Sequence, residues 1–259
     1  GYHFARTLQP EIGVTLGVIQ GSAGGTQIEQ WIPDGALKSA HPESALFAER
    51  DKARAEALAN PEAKVNAIKA GAATLYNGTI HPIRHLKLAG VLWYQGEANS
   101  RTKADYRALL HTWTAAWRAV FDEPKLPFVL VQLPSFGLPK DDSWMRLREA
   151  QMLAARELGL PLAVTIDQGS KETIHPPNKA VVGKRAGLAA LHGIYGKPAE
   201  GASPAPESVR FSGGEAIVEF PAAGPALRAE DGPMAGFELA GADKQFRPAV
   251  GVLKGHSVT

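Results

Sequence analysis

Four short apolar runs mark the first two-thirds of the chain: VTLGVIQ at 14–20, LAGVLWYQ at 88–95, LPFVLVQL at 126–133 and LPLAVTID at 160–167. Each is rich in Val, Ile and Leu and mostly lacks the strict alternation of a half-buried strand, which suits strands covered on both faces. Between the runs, apolar residues recur at helical spacing. ADYRALLHTWTAAWRAVF, starting at 104, sets Leu109, Trp113, Trp117 and Val120 on one stripe. SWMRLREAQMLAARELG, starting at 143, sets Met145, Ala150, Leu153 and Leu158 together, with Ser143 as its cap. NKAVVGKRAGLAALHGIYG, starting at 178, predicts a further helix that ends at a glycine. Alternating strands and helices predict an α/β domain: a parallel sheet with helices on both faces. Residues 36–70 form a charged, alanine-rich insertion predicted to be helical, with no chemistry evident in it.

The pattern changes after KPAEGASPAPES. VRFSGGEAIVEFPAAG and GFELAGADKQFRPAVGVLKGHSVT alternate in short runs broken by glycine, as strands of an antiparallel β domain do. The expected division is therefore an α/β domain over 1–200 and a partial β-rich domain over 201–259. The last β pattern is cut off at the carboxyl end.

Composition narrows the function classes. In 259 residues, 28 Lys and Arg nearly balance 26 Asp and Glu, and no basic stripe offers itself to a phosphate backbone, which argues against nucleic acid as a partner. No apolar stretch approaches the ~18 residues that span a bilayer, and GYHFARTLQP lacks the apolar core of a signal peptide, so no membrane partner is expected. The chain has no cysteine, which excludes disulfides and thiolate chemistry. No histidine pair has metal-ligand spacing, so no metal site is expected.

In a parallel α/β sheet, ligands bind beyond the carboxyl ends of the strands. After the first run comes GSAGGTQIEQW, a serine in a glycine turn followed by a helix start at Thr26, where backbone N–H groups can face an anion. Ser22 is a candidate nucleophile, but Gln20 stands where a G-x-S-x-G elbow has its first glycine, and a plain turn serine explains it equally. After the second run, WYQGEANS presents Gln95, Glu97 and Asn99, an amide able to donate to an oxyanion and a carboxylate able to bind hydroxyls. Asn77 and Gly78 form a turn pair between these two ends. The last end carries Asp167 and then SKETIHPPNK, with Glu172 three residues before His175. A carboxylate bonded to one imidazole nitrogen fixes the tautomer and leaves the other nitrogen free to take a proton, which makes His175 a candidate general base on a loop stiffened by Pro176 and Pro177. A surface turn accounts for the same local sequence.

Taken together, LGVIQGSAGGTQIEQW, LYNGTIHPI, GVLWYQGEANS, LPFVLVQLP and AVTIDQG with IHPPNKAVVGKRAGLAAL resemble, in order and wording, the sialate O-acetylesterase family, carbohydrate esterases of the SGNH hydrolase superfamily. The likeness covers about residues 4–195. It implies a flavodoxin-like three-layer α/β/α domain that hydrolyses acetyl esters of sialic acid or other glycans with a serine nucleophile and a histidine base, without a metal or other cofactor. His175 matches the family's catalytic histidine, and Glu172 takes the place of the usual Asp, with Asp167 as the other possible acid. The resemblance further implies Gln95 as a side-chain oxyanion donor and Gly24 and Gly25, beside Ser22, as the backbone-donor turn. Glu97, Asn77 and Asp167 are then expected on the substrate side. The family's nucleophile lies in a Gly-Gln-Ser-Asn segment upstream of the first matching block, and that tetrapeptide does not occur in this sequence. The resemblance therefore implies a fragment whose first strand and nucleophile come from a second chain or another segment, in a periplasmic or secreted protein. A glycan-binding module without a nucleophile and a general small-ester esterase are the rival readings.

Overall fold

The computed structural model describes residues 1–60, 71–137, 141–175, 177–199, 203–221, 227–228 and 234–259. Two compact units divide the chain, Gly1–Gly196 and Lys197–Thr259. Pro176 and the end of the alanine-rich insertion lie outside the described residues. The described part of that insertion is helical, in α2 (Asp34–Ala40) and α3 (Leu46–Ala59).

The first unit is built on a parallel sheet of β1 (Val91–Trp93), β2 (Phe128–Val131) and β3 (Leu162–Ala163), ordered β1-β2-β3. All four residues of β2 are buried, as its uninterrupted apolar run predicts for a central strand. Successive side chains leave a strand on opposite faces. Phe128 and Leu130 join a large core with α4 (Tyr106–Val120) and α5 (Ser143–Leu158), where the Phe128 ring lies 4.9 Å from Trp113. Val129 and Val131 are buried on the other side, and α6 (Lys179–Gly193) packs on β2 and β3. Helices therefore cover both faces.

The predicted stripe of α4 holds: Leu109, Trp113 and Trp117 are buried, with Trp93 stacked on Trp113 at 4.4 Å. The stripe of α5 holds in part, since Ala150 and Leu158 pack against the core. Its buried face is Trp144, Leu147, Gln151, Ala154 and Ala155, while Met145 is 56% exposed. Gln151 lies inside that buried face, which an apolar pattern alone does not indicate. Ser143 is not the cap either; it is the first helical residue, and its backbone N–H donates to Asp141 Oδ1 at 2.9 Å.

The run at 14–20 departs most from expectation. It forms no strand, and Val14, Val18 and Ile19 are exposed. A strand is defined by its ladder partner, and among the described residues β1 pairs only with β2, leaving both its outer edge and the 14–20 segment without one. Ahead of that segment, α1 (Tyr2–Ile12) packs on α6. Their close approach depends on Gly183 and Gly187, where a Cβ would run into His3 and Thr7.

The second unit is antiparallel. Strands β4 (Ser208–Ser212), β5 (Glu215–Glu219), β8 (Leu253–Lys254) and β9 (Ser257–Val258) form a sheet ordered β4-β5-β9-β8, and β6 (Met234–Leu239) pairs with β7 (Arg247–Gly251). Gly213 and Gly214, both at positive φ, close the two-residue β4–β5 hairpin, a turn only glycine-like residues make without strain. Among the described residues, no helix is long and apolar enough to cross a membrane.

Candidate active site

Hydrogen bonds draw together the loops beyond the carboxyl ends of the strands. The Gly-rich turn is tied to the end of β1 by two amides: Gln95 Nε2 donates to Thr26 O at 2.9 Å, and Asn99 Oδ1 accepts from Ile28 N at 2.9 Å. Asn99 Nδ2 in turn donates to Glu29 Oε2 at 2.9 Å. The π-helical turn Tyr76–Ile80, which bears the exposed Asn77, lies beside the same turn: a Cβ on Gly21 would meet Thr79 Cγ2 at 2.9 Å. At the far edge, the loop after β3 is laced to the end of β2. Thr165 Oγ1 donates to Gln132 O at 2.6 Å, Ser135 N to Ile166 O at 3.2 Å and Gly137 N to Ser170 O at 3.1 Å.

Lys179 links the two halves. Its Nζ lies 3.4 Å from Tyr94 Oη and 5.0 Å from the centre of that ring, joining the start of α6 to the end of β1. Burial, reinforced by Glu97, pushes the Tyr94 phenol up to about 12, and burial lowers the Lys179 ammonium. Glu97 itself is half-buried in the turn after β1.

His175 is exposed at the surface of its loop, and its backbone N–H donates to Thr173 Oγ1 at 3.0 Å. The preceding Ile174 packs against the core and anchors the histidine that follows it. Among the described residues, no hydrogen bond joins the His175 ring to either carboxylate proposed to orient it. Glu172 Oε2 accepts from Ser170 Oγ at 2.7 Å, and that bond holds its carboxyl below the usual range. Asp167 is gripped bidentately by Arg185, with Nη2 to Oδ2 at 2.7 Å, and this pairing pulls its carboxyl down to about 2.

Gln95 also differs from expectation as an oxyanion donor. It is buried, and both its amide hydrogens are committed, one to Thr26 O and the other to Asn99 Oδ1 at 2.8 Å. Its Oε1 accepts from Tyr106 Oη at 2.8 Å, and its backbone carbonyl accepts from Gln151 Nε2 at 3.0 Å. The residue is an internal strut under the Gly-rich turn. Asn99, presented by the same stretch of sequence, completes that strut together with Tyr106 and Gln151, which the sequence does not single out because a buried polar side chain gives no local sign of its partners.

In the turn itself, Ser22 is exposed, and its Oγ accepts from Gln20 Nε2 at 3.2 Å and is not bonded to His175. Gly24 and Gly25 are exposed, Gly25 at φ 72°, and their N–H groups donate to no acceptor among the described residues. An anionic oxygen can take that position. Among the described residues, no group of three His, Cys, Asp or Glu side chains is placed to hold a metal ion.

Residues 1–182 match the family model for carbohydrate esterases described as sialic acid-specific acetylesterases. The chain belongs to this family. It is 28% identical over 230 residues to a mouse protein named sialate O-acetylesterase, covering 75% of this chain and 42% of the relative. A human protein of the same name is 29% identical over 214 residues, covering 75% of this chain and 38% of the relative. The chain thus spans about two-fifths of the length of these relatives. A crystal structure of a carbohydrate acetylesterase from Xanthomonas citri superposes with a TM-score of 0.79 at 33% identity, over 99% of this chain and 55% of that one. The parallel sheet with its flanking helices is the α/β fold of that family.

Proposed function

We propose that this esterase-family chain serves the hydrolysis of O-acetyl groups on a carbohydrate, with His175 as general base. A serine hydroxyl attacks the acetyl carbonyl while its proton passes to His175. The tetrahedral oxyanion is held by the free N–H groups of Gly24 and Gly25, and collapse expels the sugar oxygen, which takes the proton from His175. Water, deprotonated by the same imidazole, then releases acetate. The observation that carries this reading is His175 itself: its ring is open to solvent on a loop laced to β2 and joined through Lys179 to the end of β1. Glu172 takes the acid's role when its carboxylate exchanges the Ser170 hydroxyl for the imidazole N–H. Gln95 supports the oxyanion turn from below, and Glu97 and Asn77 stand on the sugar side.

The nucleophile in this reading is a serine outside these 259 residues, delivered on a β-strand that pairs with the outer edge of β1. The outer edge of β1, unpaired among the described residues, and the exposed apolar run at 14–20 support it. Sialic acid and neutral acetylated glycans both fit the chemistry.

A nitrophenyl acetate assay on the complete polypeptide tests the reading. His175→Ala should lower kcat by about 100- to 10,000-fold, as loss of a general base does. A serine-directed phosphonate should label a residue other than Ser22. Unchanged turnover in His175→Ala would remove it as the base, and labelling of Ser22 would place the nucleophile in the Gly-rich turn. Sugar binding without any turnover would favour a glycan-binding module.

A further inference from the structure

We propose that Asp167 and Arg185 form a clamp that positions the His175 loop, so that Asp167 acts through loop geometry and does not contact the substrate. The proposal rests on His175 being the base. Arg185 sits on α6, which is fixed to the sheet by the buried Val182, Ala186, Ala189 and Ala190. Its Nη1 donates to Val164 O at 3.0 Å and to Asp167 Oδ1, and its Nη2 donates to Asp167 Oδ2 at 2.7 Å. One guanidinium therefore ties the chain leaving β3 to the helix that follows the loop, and residues 168–178 are held at both ends. A planar fork can satisfy a carboxylate and a carbonyl together; a lysine ammonium cannot reproduce that geometry.

Between these ends the loop has further anchors. Ser170 bridges to Phe136, and a side chain on Gly169 would collide with the Ser135 carbonyl. Ile174 is held against the core one residue before the base. The Asp167 side chain is 50% exposed and that of Arg185 28%. A pair this open contributes little to global stability. Its consequence lies in where the loop sits, and variants of it should fold.

Two measurements on Asp167→Asn, Asp167→Glu and Arg185→Lys test the clamp. By hydrogen exchange, the amides of residues 170–175 should exchange about 10-fold faster or more in Asp167→Asn and Arg185→Lys, while those of β2 and α4 stay unchanged. In the acetyl ester assay the same two variants should lose about 10- to 100-fold in kcat with KM within about 2-fold, the mark of a displaced catalytic group. Asp167→Glu, which keeps the carboxylate, should recover most of both. Unaltered exchange and kcat in Asp167→Asn would overturn the clamp. So would a rise in KM at constant kcat, which indicates substrate contact, or wild-type behaviour of Arg185→Lys, which indicates charge alone. If the wild-type protein hydrolyses no acetyl ester, the esterase reading fails, and the exchange comparison still decides the clamp.

Discussion

At Gln95 the place of a side chain in a motif and its hydrogen bonds in the fold point to different roles. An amide beyond a buried strand has the right chemistry for an oxyanion donor, but its hydrogens go to Thr26 O and Asn99 Oδ1 and its oxygen to Tyr106. Leucine at this position would remove the donor to Thr26 O and one bond each from Asn99 Oδ1 and Tyr106 Oη, which keep Ile28 N and the Gln95 backbone carbonyl, and a buried group left unsatisfied costs about 1–3 kcal/mol. Gln95→Leu should therefore lower the urea midpoint markedly at constant m-value, and any loss of kcat should accompany that destabilisation. A strut and a direct donor differ on this point: a direct donor would lose kcat with stability intact. Asp167 gives a second residue-scale expectation, in pH. Its carboxyl sits at about 2 in the folded chain, below the ~3.9 of an unfolded aspartate. A group depressed on folding stabilises fully above its unfolded value and loses that contribution as pH falls through the folded one. Thermal unfolding between about pH 5 and pH 2 should thus decline less steeply in Asp167→Asn than in the wild type. Equal slopes would show that the pair with Arg185 does not form.

The helix pair α1–α6 sets two opposing effects of comparable size against each other. Alanine for glycine inside a helix gains up to about 1 kcal/mol in propensity, but at Gly183 the new methyl meets His3 and the Phe4 amide across the crossing. Overpacking of that kind costs about 1–3 kcal/mol, so Gly183→Ala should be net destabilising. Gly35, in α2, has open space around it, so Gly35→Ala should be neutral or slightly stabilising. A pair of thermal unfolding curves decides both. Elements were legible in the sequence where burial alone defines them. β2 and α4 follow directly from their apolar patterns because each is covered on the side the pattern indicates. The 14–20 run reads as a strand for the same reason, but side-chain patterning carries no information about whether a hydrogen-bonding neighbour is present. In α5 the pattern finds Ala150 and Leu158 but misses Gln151, which is buried by polar partners from two other stretches, Leu133 and Gln95. At the site, the spacing of Glu172 and His175 was visible. That Ser170 would hold the carboxylate was not, because a hydroxyl two residues away competes on equal terms with an imidazole three away.

The core of the first unit draws on its own residues: the large hydrophobic cluster runs from Ile28 to Leu160, and α6 covers the sheet from within the same unit. A chain ending at Gly196 should therefore unfold in one cooperative transition with the helical far-ultraviolet spectrum of α1 to α6; a broad, non-cooperative melt would show that Lys197–Thr259 is needed for that core. The five tryptophans give this comparison its signal. Trp31, Trp93, Trp113 and Trp117 stack on one another with ring centres 4.4–6.3 Å apart, and Trp144 is buried against Phe136. The segment from Lys197 to Thr259 contains neither Trp nor Tyr. Light absorbed near 295 nm is thus taken up entirely by the first unit, and indoles this close together exchange excitation energy and give coupled bands in near-ultraviolet circular dichroism. A fluorescence melt of the whole chain therefore reports on the sheet and its helices while the β-rich unit stays optically silent.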